Sequence, residues 1–336
     1  MATHKPKAIY YRVLGYGAEN RALLDRLFDV VELEDPRDDG DMLSGTEVIF
    51  APLGFFIDAA KMDRCKQLKI IVSNTTGIPH IDVAAASARG IKICALHDEP
   101  EFLDTITPTA EHTIGLMIAA WRRIPAAHHA ASNGAWDRRP WGAPRMLSRM
   151  RLGIIGYGRL GRKVARIAEA MGMTVDFYDP FVAGGAASLA ELARKSDILS
   201  LHAPSNPETR NLVSRAVLEK LPRGSMVVNT ARGELLDVDA LLDLMDTGHI
   251  AAAALDTVDG EYDPTFSRTF RDSRLGREAR QRDNLVLTPH IGGSTLDAWY
   301  ETEHFVIIKA ARVLGLDEAQ TGLGLRQEFA RIKDQL

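Results

Sequence analysis

Between Arg151 and Asp179 the chain reads RLGIIGYGRLGRKVARIAEAMGMTVDFYD, a run that few folds can accommodate. Leu152, Ile154 and Ile155 give a short apolar strand, and Gly156, Gly158 and Gly161 follow in the G-x-G-x-x-G spacing. Val164, Ile167, Ala168 and Met171 then recur at helical spacing, and residues 174–178 form a second strand ending at Asp179. The glycines have separate tasks: Gly156 permits the tight turn, Gly158 lets backbone N–H groups approach a pyrophosphate, and Gly161 lets helix and strand pack closely. A helix start adds positive partial charge and N–H donors for the phosphates. Glycines alone would fit an ordinary turn. With a strand before, a helix after and an acid 18 residues past Gly161, the run predicts a dinucleotide site at Gly156, Tyr157, Gly158, Arg159, Leu160 and Gly161. Asp179 is placed to accept both adenosine ribose hydroxyls. Pro180, Phe181 and Val182 offer no cation for a 2′-phosphate, so the expected cofactor is NAD(H), not NADP(H).

At 336 residues, 46% of them hydrophobic, the chain can bury two cores and is expected to form two domains. Its 26% charged residues and net charge of −4 include no basic stripe, so no nucleic-acid partner is expected. The opening MATHKPKAIYYRV lacks a secretory apolar core, and no apolar run approaches membrane-spanning length. The expectation is a cytoplasmic protein with no membrane partner. Cys65 and Cys94 have no metal-ligand spacing and make a disulfide scaffold improbable, and His128-His129 has no further ligand candidate close by, so no metal is expected.

Strand candidates at 8–13, 47–52, 68–73 and 91–95 alternate with helix candidates at 21–28, 57–65 and 82–89, which argues for a parallel sheet covered on both faces. Residues 98–104 are acidic without clear periodicity. Thr107-Pro108 reads as a helix start with Pro at the first position, and Ile114, Met117, Ile118 and Trp121 keep helical spacing behind it. Residues 132–148, rich in Gly, Pro, Trp and Arg, read as an exposed excursion in which Trp136 and Trp141 are candidate packing anchors. After Asp179 the alternation resumes, with strands at 198–202, 226–229, 251–255 and 285–288, a helix at 238–246, and a final helix from about Thr295. The chain therefore reads as one doubly wound domain inserted into another.

Three segments after strands stand out: VVNTARGELLD, AAALDTVDGE and LTPHIGGST. Open parallel sheets bind ligands beyond the carboxyl ends of their strands, so these loops should meet at one crevice with Arg232, Glu261 and His290. A 2-oxo acid needs a cation for its carboxylate and carbonyl, and a proton donor for the oxygen that gains charge as hydride arrives. Arginine offers a planar two-point clamp. A histidine held by a carboxylate suits acid/base work near neutral pH.

The set GIIGYGRLG, YDP, DILSLHAP, VVNTARGE, ALDTVDGE and TPHIGGST, in this order, resembles the D-isomer-specific 2-hydroxyacid dehydrogenase family over roughly residues 45–300. The resemblance implies an α/β protein of two doubly wound parallel-sheet domains. A Rossmann NAD domain, residues 105–294, would be inserted into a flavodoxin-like substrate domain, residues 1–104 completed by 295–336. Linking helices would begin near Pro108 and Thr295, with substrate in the cleft between domains and closure excluding water. The reaction implied is hydride transfer between NAD(H) and a small anionic 2-hydroxy or 2-oxo acid. Arg232 would bind and polarise the substrate, His290 would transfer the proton, and Glu261 would tune His290. Asn74, Thr76 and Gly77 would bind the substrate carboxylate through backbone N–H groups. Thr109 would approach the nicotinamide and Asp256 its amide. His202, Ala203, Pro204 and Thr209 would run along the adenosine side, Thr230 and Ala231 would line the cofactor, and Gly292 follows His290 in the family's glycine turn. A homodimer is implied as well.

The same fold also serves NAD(H)-sensing regulators without catalysis and relatives that oxidise phosphite or phosphonate. Formate dehydrogenases lack the glutamate that Glu261 supplies. His112, in TAEHT, reads as structural. The chain departs from the family pattern at 96–107, at Tyr262-Asp263-Pro264 directly after Glu261, in a lengthened basic segment before His290, and after Gly315.

Overall fold

The computed structural model describes residues 5–37, 40–142, 144–263 and 265–316, so Pro264 and the chain beyond 316 lie outside the described residues. The chain divides into two compact units: residues through Ile106 together with those from Ser294 onward, and Thr107–Gly293.

In the first unit a five-stranded parallel sheet runs in the order second, first, third, fourth, fifth. Its strands are Lys7–Tyr11, Asp29–Leu33, Val48–Phe50, Ile70–Val72 and Lys92–Cys94. The central VIF and IIV strands are buried throughout, which is why they read as apolar runs and not as alternation. One face is covered by the Ala18–Leu27, Pro100–Thr105 and Leu296–Val313 helices, with Leu24, Phe28, Phe102 and Phe305 in the core. The Phe102 and Phe305 rings stack at 4.0 Å. The other face packs Ile57, Met62, Ala86 and Ile91, and its helices Ala59–Arg64 and Val83–Ala88 are capped by the Asp58 and Asp82 carboxylates.

The structure differs from the expected elements at three points. The Asp29–Leu33 strand is not among the strand candidates: it lies at the sheet edge, half-exposed, so DVVEL lacks the apolar run of a central strand. The acidic 98–104 segment contains the Pro100–Thr105 helix, which buries Phe102 and Leu103. The first strand stops at Tyr11, and Arg12–Leu14 is a 3-10 turn.

The second unit has a six-stranded parallel sheet with the same start to its order: second, first, third, fourth, fifth, sixth. Its strands are Arg151–Ile155, Thr174–Tyr178, Ile198–Leu201, Ser225–Asn229, Ile250–Leu255 and Leu285–Leu287. Helices Pro108–Trp121 and Arg159–Ala170 share one core layer, with Met117, Ile154, Val164 and Ala254. Leu192, Leu218, Leu241 and Leu275 fill the other layer. Both units are thus doubly wound α/β layers, the fold class expected.

Helices Ile124–Ser132, Leu189–Lys195 and Arg274–Gln281 were not anticipated. The basic segment before His290 is therefore largely helical, and Arg274 and Arg282 tie it to Asp243 and Asp246 of the Val238–Asp246 helix. Trp136 is 92% exposed, so it anchors no packing within the chain.

Candidate active site

In the second unit the first strand lies between the second and the third, so the chain leaves it in opposite directions and opens a crevice beyond the strand ends. The Gly156–Gly158 turn and the His202–Pro204 loop face each other there. A Cβ at Gly156 would lie 2.7 Å from the Ala203 amide nitrogen, and the residue holds φ +87°, so both contact and backbone demand glycine. At Gly161 a Cβ would lie 2.2 Å from the Gly156 carbonyl oxygen, which fixes how closely the helix packs on the turn. At Gly158, the N-cap of Arg159–Ala170, a Cβ would meet nothing within 4 Å, and no side chain caps the helix. A helix start open on the Gly158 side suits a pyrophosphate.

Asp179 ends the second strand with its Oδ2 accepting the Tyr157 N–H at 2.8 Å and its Oδ1 accepting the Phe181 N–H at 2.9 Å. Each carboxylate oxygen keeps a further acceptor position, enough for two ribose hydroxyls. The Tyr157 ring stacks on Phe177 at 3.8 Å, so this residue offers the cofactor side its backbone. Arg159 and Leu160 open the helix itself.

Across the crevice His202 pairs its Nε2 with the Ser200 hydroxyl at 2.8 Å, while its buried Nδ1 has no partner among the described residues. Burial lowers its pKa to about 4, so the ring is neutral at ordinary pH. Thr209 donates to the Pro204 carbonyl at 2.7 Å and so shapes the loop from within.

The loops after the fourth, fifth and sixth strands carry Arg232, Glu261 and His290. Arg232 follows Ser225–Asn229, and its Nη1 donates to the Ala231 carbonyl at 2.6 Å. Asn229 clasps this turn, accepting the Ala231 N–H at 3.0 Å and donating to the Arg232 carbonyl at 2.8 Å. At Gly233 a Cβ would meet the Asp259 nitrogen at 2.0 Å, so the Arg232 loop lies directly on the loop leading to Glu261. Thr230 shares a 2.7 Å hydrogen bond with Thr113, which in turn donates to the Thr109 carbonyl.

His290 Nδ1 lies 2.6 Å from Glu261 Oε1, both side chains being largely shielded. A nitrogen this close to a carboxylate is the protonated one, which leaves Nε2 as the nitrogen available to a substrate. His290 holds the left-handed backbone (φ +52°), uncommon for a side chain of its size, and its N–H donates to the Asp256 carbonyl at 2.8 Å. The Asp256 carboxylate, 1% exposed, accepts the Ile291 and Gly292 N–H groups, both at 2.9 Å, and the Thr288 hydroxyl at 2.6 Å. His112 reaches Thr288 at 3.0 Å and Asp256 at 3.3 Å. Asp256 therefore builds the loop that presents His290.

Tyr262 was visible in the sequence only as a departure, yet its hydroxyl lies 3.1 Å from His290 Nδ1. Asn74, Thr76 and Gly77 stand in the first unit, in the loop after Ile70–Val72, where Thr75 donates to the Gly77 carbonyl at 2.6 Å. Among the described residues no group of three or more His, Cys, Asp or Glu side chains could hold a metal ion.

Two family models match the chain. The catalytic domain of the D-isomer specific 2-hydroxyacid dehydrogenases matches residues 13–113, and their NAD-binding domain matches residues 114–292. The chain is 32% identical over 267 residues to D-3-phosphoglycerate dehydrogenase of Methanocaldococcus jannaschii, covering 77% of this chain and 48% of that protein. It is 33% identical over 256 residues to hydroxypyruvate reductase of Thermotoga maritima, covering 75% and 79%. It spans about half the length of the phosphoglycerate dehydrogenases it matches. The TT0316 protein of Thermus thermophilus superposes with a TM-score of 0.77 at 29% identity, covering 92% of this chain and 97% of that one. A D-lactate dehydrogenase of Aquifex aeolicus, complexed with NAD and lactic acid, shares the fold with a TM-score of 0.75 at 24% identity, over 93% and 94% of the two chains. The second unit is thus an NAD-binding domain, and the chain belongs to the D-isomer specific 2-hydroxyacid dehydrogenase family.

Proposed function

We propose that this protein is an NAD-dependent D-2-hydroxyacid dehydrogenase that interconverts small anionic 2-hydroxy and 2-oxo acids. The observation that carries the reading is the 2.6 Å Glu261–His290 pair, on a loop packed against that of Arg232 at the same sheet edge as the glycine turn. When bound, NAD(H) supplies or takes up the hydride at the substrate's C2. Arg232 clamps the carboxylate and draws charge toward the carbonyl oxygen, a task for a planar two-point donor. His290 gives its Nε2 proton to that oxygen during reduction and takes it back during oxidation. Glu261 holds the Nδ1 proton, which fixes the tautomer and orientation of the ring. Asp256 keeps the loop in register, and its place beside Thr109 and Gly292 suits the nicotinamide end of the cofactor.

The Gly156–Gly161 turn and Asp179 hold the adenosine half, with His202, Ala203, Pro204, Thr209, Thr230 and Ala231 along the same edge. Asn74, Thr76 and Gly77 receive the substrate carboxylate from the domain completed by the C-terminal helix. We further propose a homodimer in the cytoplasm. No helix of the described residues is long and apolar enough to cross a membrane.

The test is a panel of 2-oxo acids, glyoxylate, hydroxypyruvate and pyruvate among them, with NADH, read as loss of NADH absorbance. Steady oxidation with at least one acid is expected. NADH binding without turnover on any of them would contradict the enzyme and leave a sensing role.

A further inference from the structure

Tyr262 directly follows Glu261, and its hydroxyl reaches the same nitrogen that Glu261 holds. That nitrogen's single hydrogen points to Glu261 Oε1 at 2.6 Å, so Nδ1 has no lone pair to accept a hydroxyl proton. The Tyr262 hydroxyl therefore meets Nδ1 as an acceptor, beside Glu261 Oε1. Its oxygen then faces the imidazole N–H at 3.1 Å. Two acceptors thus converge on one imidazole N–H: the Glu261 carboxylate and the Tyr262 phenol oxygen.

We infer that Tyr262 is a positioning residue for the acid/base pair, holding the His290 ring at Nδ1 beside Glu261 and shielding that edge from water. The inference rests on the reading of His290 as the proton-transfer residue. Three observations support it. Glu261 is 14% exposed and meets Nδ1 at 2.6 Å, so the nitrogen that Tyr262 approaches is already held in a shielded place. The His290 backbone sits at φ +52°, a conformation that persists only where surrounding contacts over-determine it. The Tyr262 ring packs tilted at 48° to the imidazole with centroids 6.0 Å apart, covering that side. The phenol also keeps its proton: burial first, then the Glu261 charge, push its pKa up to about 12, against the pull of Arg232. The loop is stiffened by Asp263, which accepts both the N–H and the hydroxyl of Thr265 at 2.7 Å.

Tyr262→Phe removes one oxygen and keeps the ring, so packing survives. In oxo-acid reduction with NADH, kcat should fall about 3–10-fold, the value of one hydrogen bond, with both KM values within about twofold. Because Tyr262 and Glu261 hold the same nitrogen, the loss from Tyr262→Phe should differ between the parent and a Glu261→Gln background. Equal losses in both backgrounds would overturn the inference. A second arm needs no turnover: the His290 Nδ1 proton should give a far-downfield proton NMR signal, identified by its loss in His290→Ala. In Tyr262→Phe that signal should broaden away through exchange with water. Its absence from the parent protein, or its persistence unchanged in Tyr262→Phe, would overturn the shielding role. If His290→Ala retained turnover, the reading of His290 would fail, and the NMR arm would still judge the Tyr262 contact.

Discussion

Both sheets place their first strand between the second and third, and a Gly-Tyr-Gly and a helix follow each first strand, directly in the second unit and after the Arg12–Leu14 turn in the first. Gly15-Tyr16-Gly17 precedes Ala18–Leu27, and Gly156-Tyr157-Gly158 precedes Arg159–Ala170. The two helix starts have opposite fates. In the first unit the Gly17 N–H donates to Glu303 Oε2 at 3.1 Å, and Asn20 donates to the same oxygen at 2.9 Å. Asn20 is fully buried and Glu303 is 4% exposed. A carboxylate of the chain itself occupies the helix N-terminus. In the second unit Gly158 faces open space, and the nearby carboxylate, Asp179, is drawn aside onto the Tyr157 and Phe181 amides. Sheet order and tripeptide therefore do not make a nucleotide site. The two starts differ in the carboxylate held at Gly17 and the open space at Gly158.

The largest effect should come from the chemistry at the second unit's sheet edge. His290→Ala should lower turnover about 10²–10⁴-fold while NADH binding, read by fluorescence titration, stays close to the parent's. A variant with most of the parent kcat would remove His290 from the reaction. Next in size is the open helix start. Gly156→Ala meets both a positive φ and a 2.7 Å backbone contact, and the strain should weaken NADH binding about 10–100-fold. Undiminished binding would show that the turn tolerates a side chain and that its shape is not what selects the ligand.

The smallest effect belongs to the filled helix start. Burial raises the Glu303 pKa above the ordinary carboxylate value, against the bonds from Asn20 and Gly17. The folded chain thus holds this proton more tightly than the unfolded chain, so Glu303 favours folding less as pH rises through the carboxylate range. Gln can still accept both bonds. Glu303→Gln should therefore gain stability relative to the parent between pH 4 and pH 7, by less than about 1 kcal/mol in urea unfolding. A relative loss over that interval would reverse the sign and make the charge itself the stabilising feature.

The glycine turn was legible because each of its constraints is local: a positive φ, a close backbone approach, a helix start. The central strands were legible because burial on both faces leaves VIF and IIV wholly apolar. The Asp29–Leu33 edge strand and the Pro100–Thr105 helix were not, since each shows the sequence only half an apolar face. Arg232, Glu261 and His290 stood out through resemblance, but the means that hold them did not. The Asp256 loop and the Tyr262 hydroxyl depend on contacts between residues 28 to 36 positions apart, which no local pattern records.

Cofactor choice tests the central claim most directly. If Asp179 meets the adenosine ribose at an otherwise open helix start, its charge repels a 2′-phosphate, and no cation in Pro180–Phe181 compensates. Equilibrium titration should show NADH binding at least about tenfold more tightly than NADPH, as expected for one charge-assisted hydrogen bond gained and one repulsion avoided. In Asp179→Ala, NADH should weaken and the gap should narrow. Equal affinity of the parent protein for both cofactors would contradict the account, because Asp179 would then not stand at the ribose.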